Sequence, residues 1–235
     1  MSADRRVKMP YSKMSAFKGH IFDLDGTLIM SNDVWTDVDL RFLGKRGLSV
    51  PEDYSKALSV MNFDQAAIYT KERFGLEDDV EDIKKEWFES ARYRYAHTIP
   101  LYKGVKEYLE ALYSSGKSLA LATASSAELY EPVLKRTGVY DMFSAFVTTA
   151  EVERGKGFPD VYLEAAKRLG LEPGDCIVYE DIYQGIRAAK GAGFHTAACL
   201  NEHYQDDDKM RAESEYIFRQ ACTPAPNSPT HRGFV

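Results

Sequence analysis

The 235-residue chain has only three cysteines, Cys176, Cys199 and Cys222, and their spacing excludes the common zinc and redox motifs. Their number is odd, and Cys176 and Cys199 lie in apolar stretches, which is typical of buried thiols in a reduced, cytoplasmic protein. The first twenty residues also lack an apolar run long enough for a signal peptide or a membrane-spanning helix.

An excess of positive charge is also missing, because 36 acidic residues outnumber 30 basic ones and give a formal net charge of −6. This balance argues against a nucleic-acid partner, which would require clustered basic residues. Residues 1–17 are a local exception and form a basic lead-in. Residues 222–235 contain several prolines and no hydrophobic periodicity, which predicts a disordered tail. We expect no membrane partner; the sequence leaves the oligomeric state open and favours a monomer.

Between residues 31 and 98, no strand pattern separates a series of helical segments. Apolar side chains recur there at the three- and four-residue spacing of helix faces. Gly47 and Gly75 are placed to end helices, and Pro51 fits the first position of another helix. A helical stretch of this length predicts a separate cap domain, inserted after the first strand.

Residues 18–30 and 99–221 alternate instead between short apolar runs and helical segments. The runs predict five buried strands, at residues 18–23, 119–122, 143–147, 177–179 and 194–199. Strands that alternate with helices form a parallel sheet covered on both faces. The predicted fold class is therefore α/β, with a doubly wound, mostly parallel, Rossmann-like core domain and an inserted all-helical cap domain.

Three local signals predict helix boundaries in this core. Ser125 and Glu128 have the spacing of a capping box at the start of a helix. Pro132 falls inside that helix and should kink it or delay its start. Asp160 is placed to cap the next helix at its amino end.

The five residues from Asp23 to Thr27, Asp-Leu-Asp-Gly-Thr, carry the strongest chemical signal in the chain. Asp23 and Asp25 are two residues apart at the end of the first predicted strand, so their side chains point the same way. Open α/β sheets bind ligands at this end of their strands. Paired acids there indicate a metal ion, a nucleophile with its acid partner, or both. The alternative is a polar turn, because Asp and Gly are ordinary turn residues.

Other polar residues follow predicted strands at the same edge of the sheet. Thr123 follows the second strand, and Glu180 and Asp181 follow the fourth. Lys156 lies in a glycine-containing loop before a helix. These groups can converge at one crevice with Asp23 and Asp25. Together they would place four carboxylates, one hydroxyl and one ammonium there.

This set of groups is typical of phosphoryl transfer. Each acid would repel a phosphate at roughly 4 Å by about 4 kcal/mol, so a hard divalent cation, Mg²⁺, is expected among the carboxylates. Lys156 would add positive charge. The Thr123 hydroxyl and the amide of Ala124 could donate hydrogen bonds to phosphoryl oxygens.

The order of these motifs resembles that of the haloacid dehalogenase superfamily, in its phosphatase and β-phosphoglucomutase-like branch. The resemblance extends from about His20 to Cys199 and includes a helical cap inserted after the first motif. The four family motifs resemble, in order, residues 21–28, 121–125, 155–160 and 178–186.

The resemblance implies a role for each residue. Asp23 would be the nucleophile that forms an aspartyl-phosphate, and Asp25 would protonate the leaving group and then activate water. Thr123 and Lys156 would hold the phosphoryl group. The ligands of Mg²⁺ would be the Asp23 carboxylate, the Asp25 main-chain carbonyl, Glu180 and Asp181.

Two positions differ from the sugar-phosphate mutases of this branch. Trp35 stands where those enzymes place a cap histidine, and residues 60–64 contain no arginine to clamp a second phosphate. We therefore predict a phosphatase that hydrolyses small phosphorylated metabolites, with the mutase as the alternative. Trp35, Met61 and Phe63 would form an apolar roof over the substrate, unless they only pack the cap helices.

A more distant alternative is a non-catalytic signalling module, because receiver domains also combine Asp, Thr, Lys and Mg²⁺ on a doubly wound sheet. Their acidic cluster and phosphoacceptor lie on different strands, and they carry no helical insertion. Asp23 and Asp25 share one predicted strand end, which favours the enzyme.

Overall fold

The computed structural model describes residues 14, 16–58, 63–200 and 207–219. Contacts divide the described chain into two compact units. The α/β unit contains the residues up to 30, those from 100 to 126 and those from 137 onwards. The helical unit contains Ser31–Ile99 together with Ala127–Arg136, a segment predicted from the sequence to belong to the core. The domain boundaries therefore stay predictions.

Within the residues that the structure describes, the α/β unit is built on a six-stranded, entirely parallel sheet, which confirms the predicted fold class. Its strands are β1 Gly19–Phe22, β2 Ser118–Thr123, β3 Ala145–Thr148, β4 Cys176–Glu180, β5 His195–Leu200 and β6 Tyr216–Arg219. The spatial order is β3-β2-β1-β4-β5-β6, so β1 lies between β2 and β4. The last strand, β6, was not predicted from the sequence.

Helices alternate with these strands and also fill the helical unit. In the described ranges they are α1 Val34–Lys45, α2 Tyr54–Leu58, α3 Phe63–Phe74, α4 Val80–His97, α5 Val105–Ser114, α6 Ala127–Thr137, α7 Asp160–Leu169, α8 Tyr183–Gly191 and α9 Asp207–Glu213. No helix in this described part is both long and apolar enough to cross a membrane. The predicted tail, and all of the basic lead-in before residue 14, fall outside the described residues.

Both faces of the sheet are covered, because neighbouring residues of a buried strand point in opposite directions. Ile21 and Val178 pack in one core cluster with apolar residues of α7. Phe22 and Tyr179 point the other way, and the ring of Tyr108 on α5 lies 6.4 Å and 6.0 Å from their respective rings. Because both faces of the sheet are buried, the strands appear in the sequence as continuous apolar runs.

The helical unit contains its own aromatic core. The rings of Phe42 on α1 and Trp87 on α4 lie 5.6 Å apart, edge to face. Within this unit, Arg136 of α6 donates from Nε to the carbonyl of Ala96 at 2.9 Å and from Nη2 to the carbonyls of Tyr95 and Ile99. The last carbonyls of a helix lack intrahelical donors, so Arg136 satisfies the carboxyl end of α4.

Three predicted signals for the start of a helix do not act as predicted. Helix α2 begins at Tyr54, after a turn in which the Tyr54 amide donates to the carbonyl of Pro51. Helix α6 begins at Ala127 and runs through Pro132, so the proline does not delay its start. Helix α7 spans Asp160–Leu169 as predicted, but Asp160 is its first residue and not its cap. The Asp160 carboxylate accepts hydrogen bonds from Arg154 at 2.6 Å and 2.8 Å.

A histidine is buried in the centre of the sheet. His20 on β1 is fully buried, and its Nδ1 lies 2.8 Å from the hydroxyl of Tyr179, which in turn lies 2.7 Å from that of Tyr108. Its Nε2 has no hydrogen-bond partner among the described residues. Burial, with a smaller contribution from the charge of Lys117, lowers the pKa of His20 from 6.5 to about 4.

We expect the His20 contribution to the free energy of unfolding to fall as the pH drops from 6.5 towards 4, because protonation then favours the unfolded chain. At about 1.4 kcal/mol per pH unit, the loss should approach roughly 3 kcal/mol. Replacement of His20 by Phe should remove this contribution. Chemical denaturation of both proteins across this range should show that the free energy of unfolding of the variant rises relative to that of the wild type as the pH is lowered. A stability difference independent of pH would contradict the expectation.

Candidate active site

The strand order brings the predicted site residues to one edge of the sheet. Asp23 directly follows β1, and its amide donates to the carbonyl of Tyr179 on β4 at 3.0 Å. Thr123 is the last residue of β2, and Glu180 is the last residue of β4. Because β2 and β4 flank β1 in parallel, these residues emerge side by side.

A compact turn after β1 holds the two aspartates of the first motif. The amide of Gly26 donates to the carbonyl of Ile29 at 3.1 Å, and the amide of Leu28 donates to the carbonyl of Leu24 at 2.9 Å. Gly26 has a φ of +76°, in the left-handed region that is unfavourable for residues with a Cβ. The glycine therefore allows the chain to turn immediately after Asp25.

Three buried carboxylates lie close together at this edge. One oxygen each from Asp23, Glu180 and Asp181 can be chosen so that all lie within 4.8 Å of one another. Carboxylate oxygens are hard ligands, of the kind that Mg²⁺ and Ca²⁺ prefer. The donor set therefore fits a divalent cation.

Lys156 occupies the same cluster. Its Nζ contacts Oδ1 of Asp23 and lies 2.6 Å from Oε1 of Glu180. The loop that carries it is closed by a hydrogen bond from the amide of Phe158 to the carbonyl of Gly155 at 2.9 Å. The ammonium thus contacts two carboxylates from the ends of different strands, because Asp23 follows β1 and Glu180 ends β4.

The cluster holds more negative than positive charge. Burial raises the pKa of Asp23 to about 8; Lys156 opposes this shift, and the nearby charges of Glu180 and Asp25 add to it. Burial also disfavours the charge on Lys156, but Asp23 and Glu180 outweigh this effect and raise its pKa above its ordinary value. A further cation would therefore favour the ionised form of Asp23.

Glu180 is held by four donors. Its Oε1 accepts from Lys156 and from the hydroxyl of Tyr162 at 2.8 Å, and its Oε2 lies 3.1 Å and 3.3 Å from the amides of Asp181 and Ile182. Tyr162 lies on α7, and sequence reasoning missed it because no local pattern links it to the fourth strand.

A serine that was predicted to cap a helix instead contacts the second aspartate. The Ser125 hydroxyl donates to Oδ2 of Asp25 at 2.7 Å, and the Ser125 amide donates to Oγ1 of Thr123 at 3.0 Å. Helix α6 begins two residues later, at Ala127. Ser125 therefore joins Asp25 and Thr123, and only its position two residues after Thr123 could have indicated this.

The remaining predicted residues are divided between the two units and the part of the chain outside the described residues. Ala124 is exposed, next to Thr123. Trp35 and Phe63 belong to the helical unit, where their rings lie 5.8 Å apart and both side chains are partly exposed. Met61 falls outside the described residues. The roles of all these site residues stay predictions.

Comparison with known proteins gives the family. The family model described as haloacid dehalogenase-like hydrolase matches residues 20–199 of the chain. The chain belongs to this family. The match confirms the resemblance inferred from the four motifs, so the chain is a haloacid dehalogenase-like hydrolase.

Two curated relatives of this hydrolase are phosphatases. The bifunctional riboflavin kinase/FMN phosphatase of Arabidopsis thaliana is 34% identical over 176 residues, which cover 74% of this chain but only 46% of that relative. The phosphorylated carbohydrates phosphatase of Thermotoga maritima is 28% identical over 173 residues, or 74% of this chain and 80% of that protein.

A solved structure shares the fold of the hydrolase. CbbY from Rhodobacter sphaeroides, in complex with phosphate, superposes with a TM-score of 0.70 at 22% identity. The superposition covers 86% of this chain and 93% of CbbY. At this identity the likeness concerns the fold alone.

The close approach of Gly185 to Glu180 can be tested with an alanine. A Cβ on Gly185 would lie 2.6 Å from the Tyr162 hydroxyl and 2.8 Å from Cδ of Glu180, so the carboxylate would have to move. We expect Gly185→Ala to lower the free energy of unfolding by about 1–3 kcal/mol and to weaken divalent-cation binding, as measured by denaturation and calorimetry.

Gly191 provides the matched control, because it ends the same helix and a Cβ there would meet nothing within 4 Å. Gly191→Ala should leave cation affinity unchanged. Equal behaviour of the two variants would show that Gly185 does not constrain Glu180.

Proposed function

We propose that this hydrolase cleaves small phosphomonoesters with Mg²⁺, through an aspartyl-phosphate intermediate on Asp23. The observation that carries the proposal is the contact of the buried Asp23 carboxylate with Lys156, inside a cluster of further carboxylates. A nucleophile placed beside a cation and a hard-metal donor set is suited to a phosphate dianion. The phosphatase names of the two curated relatives support the same reaction.

In the first step, an oxygen of Asp23 attacks phosphorus and the bond to the leaving oxygen breaks. Asp25 supplies the proton that the leaving oxygen takes up. In the second step, water attacks phosphorus and passes a proton to Asp25, the bond between phosphorus and the Asp23 oxygen breaks, and inorganic phosphate leaves. The Thr123 hydroxyl, the amide of Ala124 and the ammonium of Lys156 hold the phosphoryl oxygens and stabilise their charge.

Mg²⁺ would be held by the carboxylates of Asp23, Glu180 and Asp181 and by the main-chain carbonyl of Asp25. When bound, it supplies positive charge that neutralises the cluster and polarises the phosphoryl group. The three carboxylates suit it because they are hard oxygen donors, buried and close together.

The substrate we propose is a small phosphorylated metabolite in the cytoplasm, with no nucleic acid, membrane or second copy of the chain required. The relatives named above act on FMN and on phosphorylated carbohydrates. We propose that Trp35, Met61 and Phe63 contact the non-phosphate part of the substrate. Exposed aromatic rings such as Trp35 and Phe63 offer apolar area for that purpose.

The nucleophile can be tested by Asp23→Asn. A panel of phosphorylated metabolites and 4-nitrophenyl phosphate, assayed with Mg²⁺, should give turnover by the wild type and a loss of at least about 10³-fold in kcat for the variant. Asp141→Asn, at an exposed position of the α/β unit, is the control and should keep wild-type turnover. Equal activity of the Asp23→Asn variant and the wild type would reject the proposal.

The metal can be tested without turnover. A cation that binds only the folded protein stabilises it by about 2.7 kcal/mol at one hundred times its dissociation constant. Added Mg²⁺ should therefore raise the wild-type free energy of unfolding, and Asp181→Asn should abolish most of that increase. Asp175→Asn serves as control, because Asp175 pairs with Lys18 and not with the cluster. Equal Mg²⁺ stabilisation of all three proteins would remove Asp181 from the site.

A further inference from the structure

The carboxylate of Asp25 lies beside Ser125, which has no part in the reaction proposed above. The Ser125 hydroxyl donates to Oδ2 of Asp25 at 2.7 Å, although the two residues are 100 positions apart in the sequence. They meet because β1 and β2 are adjacent and parallel, so the turns that follow them lie side by side. Both residues are only partly buried, as a group that exchanges protons with substrate and water must be.

The serine is itself held in place. Its amide donates to Oγ1 of Thr123 at 3.0 Å, in a short turn of the kind that serine and threonine hydroxyls form with the backbone two residues on. Thr123 is fully buried at the end of β2. The backbone of Ser125 is therefore anchored to the end of β2, and α6 begins only at Ala127.

We infer that Ser125 is a positioning residue that orients Asp25 for proton transfer to the leaving group, an inference that rests on the proposed function. The hydrogen bond to Oδ2 sets the plane of the carboxyl group, so the transferable proton is carried on Oδ1. When Asp23 attacks phosphorus, this proton moves to the leaving oxygen as its bond to phosphorus breaks. In hydrolysis Asp25 recovers a proton from water.

This role predicts a dependence on the leaving group. A leaving oxygen that is a weak acid requires protonation, whereas a strongly acidic phenol departs readily as its anion. Loss of the positioning contact should therefore slow the hydrolysis of phenyl phosphate much more than the hydrolysis of 4-nitrophenyl or 2,4-dinitrophenyl phosphate. All three substrates carry a ring, so the comparison does not depend on aromatic contacts.

The experiment measures kcat/KM for these three esters with wild type, Ser125→Ala, Ser125→Thr and the control Ser126→Ala. Ser126 is the exposed next residue. General acid catalysis is worth about 10²–10⁴ in rate, so Ser125→Ala should lose roughly tenfold or more on phenyl phosphate and less than about threefold on 2,4-dinitrophenyl phosphate. Ser125→Thr, which keeps the hydroxyl, should restore the wild-type dependence, and Ser126→Ala should leave it unchanged.

A double variant separates positioning from other roles. In an Asp25→Asn background, Ser125→Ala should add nothing to the dependence on the leaving group, because the proton donor is already gone. An equal loss on all three esters, or no loss, would overturn the inference while the proposed function stands. If the wild type turns over none of the esters with Mg²⁺, or if Asp23→Asn keeps full turnover, the proposed function fails and this inference fails with it.

Discussion

Buried negative charge is the constraint on which the edge of the sheet depends. Asp23, Glu180 and Asp181 place their carboxylates within a few ångströms of one another, away from bulk water, and Lys156 neutralises only part of that charge. Charges in such surroundings must be paired, hydrogen-bonded or protonated. The four donors around Glu180 and the raised pKa of Asp23 are two responses to this constraint. The capacity to accept a divalent cation is a third.

The topology determines which residues share the constraint. Because β1 lies between β2 and β4, Asp23 has Thr123 on one side and Glu180 on the other. The loop before α7 then brings in Lys156, which is 133 positions from Asp23 in the sequence. Continuous apolar strands make this arrangement rigid, since residues buried on both faces of a sheet leave little room for adjustment.

The fold class and the strand-end residues could be predicted because they depend on local patterns. Thr123 and Glu180 end apolar runs, and runs that alternate with helices imply a parallel sheet. Contacts between distant side chains could not be predicted in this way. The spacing of Ser125 and Glu128 fits a capping box, which is a local pattern. In the structure the serine hydroxyl donates instead to Asp25, a residue distant in the sequence. Strand β6 was missed because a short apolar run near the end of a chain has no distinctive period.

Arg136 shows that the helical unit is not one continuous insertion. Its guanidinium satisfies carbonyls at and just beyond the end of α4, and the chain passes between the two units four times rather than twice. A graft of Ser31–Ile99 alone onto another protein would leave those carbonyls without their donor. Any exchange of this unit between relatives would therefore have to carry residues 127–136 together with residues 31–99.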